Sequence, residues 1–292
     1  MRAVAAEHGA TFRSIVGEEL LAHHYPTIHL VGRASRRAPR LIDVSWGDTA
    51  APRVTLVGKG VCFDTGGLNL KTRDGMLEMK KDMGGAAVVL GLASALMASN
   101  TPIRLRVLIP AVDNAVADNA MRPRDIVRTR SGKTVEIGDT DAEGRLILCD
   151  ALAEADSEAP ELLIDCATLT GAAKIALGTE IQAFFCDDDS ASAALFSAGR
   201  ESGDPLWRLP IWRPYRKQID SPLADMNNIG KGALGGAIHA ALFLAQFVSR
   251  ANCWAHLDIF AANAAPRPGR PEGGEATGMR ALYRFIRERY PH

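Results

Sequence analysis

The 292-residue chain balances 34 basic against 34 acidic residues, with 47% hydrophobic and 23% charged content. That length buries a sizeable core, and the even charge gives no reason to expect nucleic acid or an anionic membrane as partner. No run approaches the ~18–20 apolar residues of a membrane span, and Glu7, Arg13, Glu18 and Glu19 break the N-terminus where a signal peptide needs an apolar stretch.

In chain order, residues 1–24 show a helical pattern ending near His23-His24-Tyr25-Pro26. The paired histidines read as helix-end residues rather than ligands. Thr27–Val31 and Leu41–Ser45 are predicted as short strands around an Arg/Pro-rich loop, whose Arg33, Arg36, Arg37 and Arg40 read as solvated. Val54–Val57 has the β-branched, apolar character of a buried strand and runs into the Gly-rich stretch 58–67. A long helix is predicted from near Asp82, then a buried strand over Leu105–Val112.

Residues 113–144 read as extended loop with charged turns, and Arg145–Ala155 as helix. Strand Leu162–Cys166, helix 171–177, strand Ile181–Phe185 and helix 190–202 follow. After them come a helix at about 234–250, strand Ala255–Phe260, a Pro/Gly-rich loop over 265–274 and a last helix near 277–289. Strands alternating with helices imply an α/β fold: a mixed, largely parallel sheet sandwiched between helices. No internal repeat or linker divides it.

Several chemistries are absent. There is no HExxH and no GxSxG, and the seven histidines are scattered. Ser131-Gly132-Lys133-Thr134 imitates the end of a P-loop, but Val127 stands where the leading Gly belongs, so a hairpin turn is expected. The five cysteines (Cys62, Cys149, Cys166, Cys186, Cys253) are dispersed, mostly in apolar stretches, and form no CxxC. They point to reduced core residues in a cytoplasmic protein, without a thiolate zinc site. What remains is a density of acids in Gly-rich settings: Asp64, Asp82, Asp141 and Glu143. Each alone suits a helix cap or turn. Brought together at the carboxyl ends of strands, they would repel one another unless divalent cations lay between them.

The segments VGKGVCFDTGGLNLK (57–71), MKKDMGGAAVVLG (79–91) and TDAEGRLILCDAL (140–152) resemble the signature stretches of the leucyl aminopeptidase family of cytosolic metallopeptidases. CATLTGAAKIALG (166–178), LADMNNIG (223–230) and WAHLDI (254–259) add to the resemblance, which runs from about residue 36 to the C-terminus. It implies the family's zinc-peptidase-like catalytic domain over 36–292, preceded by a linking helix within 1–35, with the family's separate N-terminal domain absent.

The resemblance also implies two divalent ions per subunit, Mn or Zn with Mg as a further candidate, held by Lys59, Asp64, Asp82, Asp141 and Glu143. Lys59 would ligate through a neutral amine, and Asp64 and Glu143 would bridge. Lys71 matches a lysine that polarises the scissile carbonyl, and Arg145 an arginine holding a bicarbonate that serves as general base. Met79, Thr168 and Gly171 match the side-chain pocket. Peptides are the implied substrates and a homo-hexamer the implied assembly. Two departures stand out: Phe260-Ala261 after WAHLDI, which narrows the pocket, and Asp139 before TDAEGR, which is expected to cap a turn. The expected function is release of apolar N-terminal residues from short peptides. A narrow-specificity dipeptidase or related amide hydrolase, or an inactive scaffold, is the alternative.

Overall fold

A computed structural model describes residues 1–292. Eight strands of its main sheet run in the order β1 (Thr11–Val16), β2 (Arg40–Trp46), β5 (Arg104–Asn114), β3 (Arg53–Gly58), β8 (Leu162–Ala167), β12 (Trp254–Asp258), β9 (Gln182–Cys186), β10 (Leu206–Arg208), while β4 (Gly60–Asp64) pairs with β5. The central β5–β3–β8–β12 set is parallel, as is β4 on β5. The β1–β2, β2–β5 and β12–β9 pairings are antiparallel. The expected mixed, largely parallel sheet is therefore the one observed.

Alternation along the buried strands sends side chains into two separate cores. Leu56 of β3 and Leu162, Ile164 and Cys166 of β8 enter one, while Val57 and Leu163 enter the other. The first lies under α5 (Gly84–Ala98), α8 (Asp189–Glu201) and α10 (Met279–Arg289); the second under α3 (Pro26–Gly32), α6 (Glu143–Ser157) and α9 (Gly236–Leu244). Helices on both faces explain why β3 reads as a continuous apolar run rather than an alternating one. A smaller sheet holds β11 (Met226–Asn227), β7 (Thr134–Glu136) and β6 (Ile126–Arg128). The remaining helices are α1 (Arg2–Glu7), α2 (Glu19–Ala22), α4 (Arg73–Met76) and α7 (Gly171–Leu177).

The N-terminal region differs from its sequence pattern. Residues 1–24 form α1, then the edge strand β1, then α2, because β1 adds to β2 in full register. Thr27–Val31 is helical, not a strand: Pro26 starts α3 at its first position, and Thr27, Ile28, Leu30 and Val31 bury against the sheet and α6. The β-branched run here serves a helix because tertiary burial outweighs intrinsic preference. Three further boundaries move. The helix expected from Asp82 begins at Gly84, after a 3₁₀ turn over Met79–Lys81. The 234–250 helix closes at Leu244 into a 3₁₀ turn. Within 113–144, β6 and β7 form the hairpin whose turn contains Ser131 and Gly132.

The helical stretch Arg73–Ala98 is long and apolar enough to cross a membrane by those two measures. Its apolar part, α5, is a core helix, with Val88, Val89, Leu92, Leu96 and Met97 at most 2% exposed. All five cysteines are free; four are buried and Cys62 is exposed, contrary to a core role.

Candidate metal centre

The carboxyl ends of the central strands meet at one edge. Lys59 follows β3, Asp64 closes β4, Asn114 closes β5, Thr168 follows β8 and Asp258 closes β12. Loops gather here because parallel strands all end on one side, the usual place for a site in an open α/β sheet.

Lys59 is 3% exposed. Its Nζ lies 2.9 Å from both Asp82 carboxylate oxygens and from Glu143 Oε1, and donates to the Thr168 carbonyl at 2.8 Å. Gly144 permits this approach, since a Cβ there would meet Lys59 Cε at 2.6 Å and Nζ at 2.8 Å. Lys71 Nζ is 2.8 Å from Asp64 Oδ2 and 2.5 Å from Asp141 Oδ1. The other Asp64 oxygen accepts from Gly66 N and Asn114 Nδ2, each at 2.8 Å. Gly66, at φ +89°, adopts the left-handed turn this requires. Asp82 Oδ1 also accepts from Thr168 Oγ1 at 2.7 Å.

Four carboxylates thus share two ammonium groups, and the titration directions follow from that excess. Burial opposes the Lys59 charge, but Asp82, Glu143 and Asp64 outweigh it and hold the ammonium well above its ordinary value. Lys71 is likewise raised against its burial, by Asp64 and Asp141. Burial pushes Glu143 far up and Asp82 up, with Lys59 opposing, and lifts Asp141 to about 6 against the pull of Lys71. Asp64 alone falls: burial resists its charge, but Lys59 and Lys71 prevail.

Divalent cations fit this donor set. Ligand atoms of Asp64, Asp141 and Glu143 all lie within 4.8 Å of one another. Asp82 Oδ2, Asp141 Oδ1 and Glu143 Oε1 are buried with no hydrogen bond, facing the lysines only as ion pairs. Such oxygens keep lone pairs for a metal.

A cleft of about 380 Å³ opens on the cluster, walled by Lys59, Asp64, Lys71, Asp82 and Asp141 together with Met79, Thr168 and Gly171. Lys81, Lys174 and Phe260 line it as well. Glu143 reaches it through Lys59. Arg145 does not: it is 8% exposed, its Nη1 donates to the Asn228 carbonyl at 2.5 Å, and its Nε is buried without a partner. Burial pushes its pKa down to about 10. Asp139 Oδ1 accepts from Asp141 N at 2.8 Å, the turn-shaping role expected of it.

Three supporting residues went unassigned by sequence reasoning. Asn114 Nδ2 ties Asp64 to the Thr140 carbonyl, and Thr140 Oγ1 donates to the Gly66 carbonyl at 2.6 Å. Asp258 accepts from the Leu169 and Thr170 amides and the Thr170 hydroxyl, fixing the loop that carries Thr168. The only signal for Asn114 was a polar residue ending an apolar strand, and Asp258 lay within the WAHLDI stretch without a role assigned to it. Nothing marked Thr140 beyond its place beside Asp141.

Residues 1–283 match the family model of the cytosol aminopeptidase family, catalytic domain. The match therefore includes the first 35 residues. The chain is 48% identical over 277 residues to a probable cytosol aminopeptidase of Xylella fastidiosa, covering 94% of this chain and 55% of that one. A counterpart in Xanthomonas oryzae is 51% identical over 231 residues, covering 78% and 46%. The chain thus spans about half the length of these curated relatives. Among solved structures, a cytosol aminopeptidase from Coxiella burnetii superposes with TM-score 0.97 at 53% identity, covering 99% of this chain and 63% of that one. The bottromycin maturation enzyme BotP, in complex with Mn, superposes with TM-score 0.94 at 38% identity, covering 99% and 65%.

Proposed function

This chain belongs to the cytosol aminopeptidase family, and from that premise we propose that it is a metal-dependent aminopeptidase releasing the N-terminal residue of short peptides. The observation that carries the reading is the buried cluster of Asp64, Asp82, Asp141 and Glu143 around only two ammonium groups. Lys59 and these four acids would hold two divalent ions, manganese or zinc, with magnesium also compatible with oxygen donors. When bound, the ions supply Lewis acidity and lower the pKa of water. Lys59 serves as a ligand only after giving up its proton, which a dication at its amine favours.

The remaining residues divide the work. Asp82 receives the substrate α-amine, which restricts cleavage to the first peptide bond. Lys71, which lines the cleft with its side chain partly exposed, donates to the scissile carbonyl oxygen and stabilises negative charge as it develops there. Arg145, set back from the cleft against Asn228, keeps its Nε unpaired and would be the donor that holds a bicarbonate, a group that would supply a general base. Met79, Thr168 and Gly171 take the side chain of the N-terminal residue, favouring an apolar stem. Hexameric assembly and a cytoplasmic setting accompany this reading by family likeness and by the relatives' name. Phe260 in the pocket wall favours a second reading, a dipeptidase of narrow specificity.

Glu143→Ala tests the site. We expect hydrolysis of N-terminal Leu peptides to be abolished and metal content, measured on dialysed protein, to fall by one ion per chain. Unchanged hydrolysis in that variant would sink the assignment.

A further inference from the structure

Phe260 sits at 9% exposure two residues beyond β12, and its backbone N–H donates to Gln182 Oε1 at 2.9 Å, with Gln182 itself 2% exposed. The ring is therefore held in a fixed place in the cleft wall. Two ammonium groups converge on it from different elements: Lys81, from the turn before Asp82, and Lys174, from α7, each with Nζ 4.5 Å from the ring centroid. The aromatic face attracts both. Neither is ion-paired or hydrogen-bonded to any residue, whereas Lys59 and Lys71 are each paired with two carboxylates. Asp74 and Glu78 also line the cleft, exposed and unpaired with either ammonium.

Like charges drawn to one ring repel each other unless an anion lies between them. A carboxylate is the group that satisfies two ammonium donors at once. The cleft is mostly polar, but Met79, Ile181 and Phe260 all line it and offer apolar surface to a short stem. The fitting group has an aliphatic stem and a carboxylate at its end.

We propose that Lys81 and Lys174, gathered over Phe260, bind a carboxylate of the peptide substrate: the side chain of an N-terminal glutamate or aspartate, or the C-terminus of a dipeptide. The proposal rests on the aminopeptidase reading above and narrows its substrate class. It makes the two lysines specificity-determining residues of the cleft.

The test compares isosteric pairs on metal-loaded protein. In the first arm, kcat/KM is measured for peptides beginning with Glu and with Gln. In the second, Leu-Gly is compared with its C-terminal amide. We expect wild-type protein to favour the acid by about tenfold or more in one arm, the worth of a charge-assisted hydrogen bond. The Lys81→Met, Lys174→Met double variant should lose that preference, and Lys174→Glu should reverse it toward N-terminal Lys or toward the amide. Preference in the first arm alone assigns an acidic N-terminal residue; in the second alone, the dipeptide C-terminus. Calorimetric binding of L-glutamate against L-glutamine, and of Leu-Gly against its amide with catalytically dead Glu143→Ala protein, reads the same contact without turnover. Equal wild-type treatment of acid and neutral forms in both arms, or a preference that survives the double variant, overturns the proposal. Failure to cleave any peptide while glutamate still binds more tightly than glutamine would overturn the aminopeptidase reading and leave the carboxylate site standing.

Discussion

The two ends of α6 both bury carboxylates, and they answer them in opposite ways. From mid-helix onward, Asp150 accepts from the Thr27 and Arg130 amides at 2.8 Å, and near the C-terminal end Asp156 accepts from the amides of Ser249, Arg250 and Ala251. Glu154 is met by Arg106 and Arg130. At the N-terminal end, no backbone amide donates to Glu143, which shares Lys59 with Asp82 and lies close to Asp64 and Asp141. Buried carboxylates are ordinary when amides and guanidinium groups satisfy them. Acid density becomes a site only where the protein leaves lone pairs unanswered and crowds like charges together.

The sharpest way to break the contrast is Asp64→Asn. The amide keeps an acceptor for Gly66 and Asn114 but removes the charge, so activity should fall on the order of a thousandfold, about 4 kcal/mol, while thermal stability holds. A comparable loss of Tm would show that the cluster is structural. The reverse is expected of Asp156→Ala. Three part-buried amides lose their acceptor, costing about 2 kcal/mol in urea unfolding, with metal stoichiometry unchanged. Gly144→Ala pushes a methyl into Lys59, and a displacement of that size should lower kcat/KM about a hundredfold. The smallest effect is on stability. Metal at tenfold over its Kd should stabilise wild-type protein by about 1.4 kcal/mol, seen as a rise in Tm that a chelator reverses. In Asp64→Asn the rise should shrink or vanish.

Much of the candidate site was legible because its residues sit in three compact segments, with Lys59, Asp64 and Lys71 inside fifteen residues and Asp141, Glu143 and Arg145 inside five. Their pairing was not legible: Lys59 after β3 reaches both Asp82 before α5 and Glu143 at the start of α6, three segments far apart in the chain. The sheet was readable from buried strands such as Val54–Val57, whose apolar runs need helices on both faces. The N-terminal elements were not. β1 exists because β2 offers an antiparallel partner, and α3 because its apolar face finds α6; both causes lie outside the local sequence.

The sequence by itself determined the α/β class, the main buried strands and the set of acids and lysines available for chemistry, because periodicity and compact motifs are local properties of the chain. Only the tertiary structure decided which carboxylates go unanswered, that Arg145 stands off the cleft against Asn228, and that Lys81 and Lys174 meet over Phe260. Those outcomes depend on distances across loops far apart in the chain, and electrostatics responds to distance and burial rather than to order along the chain.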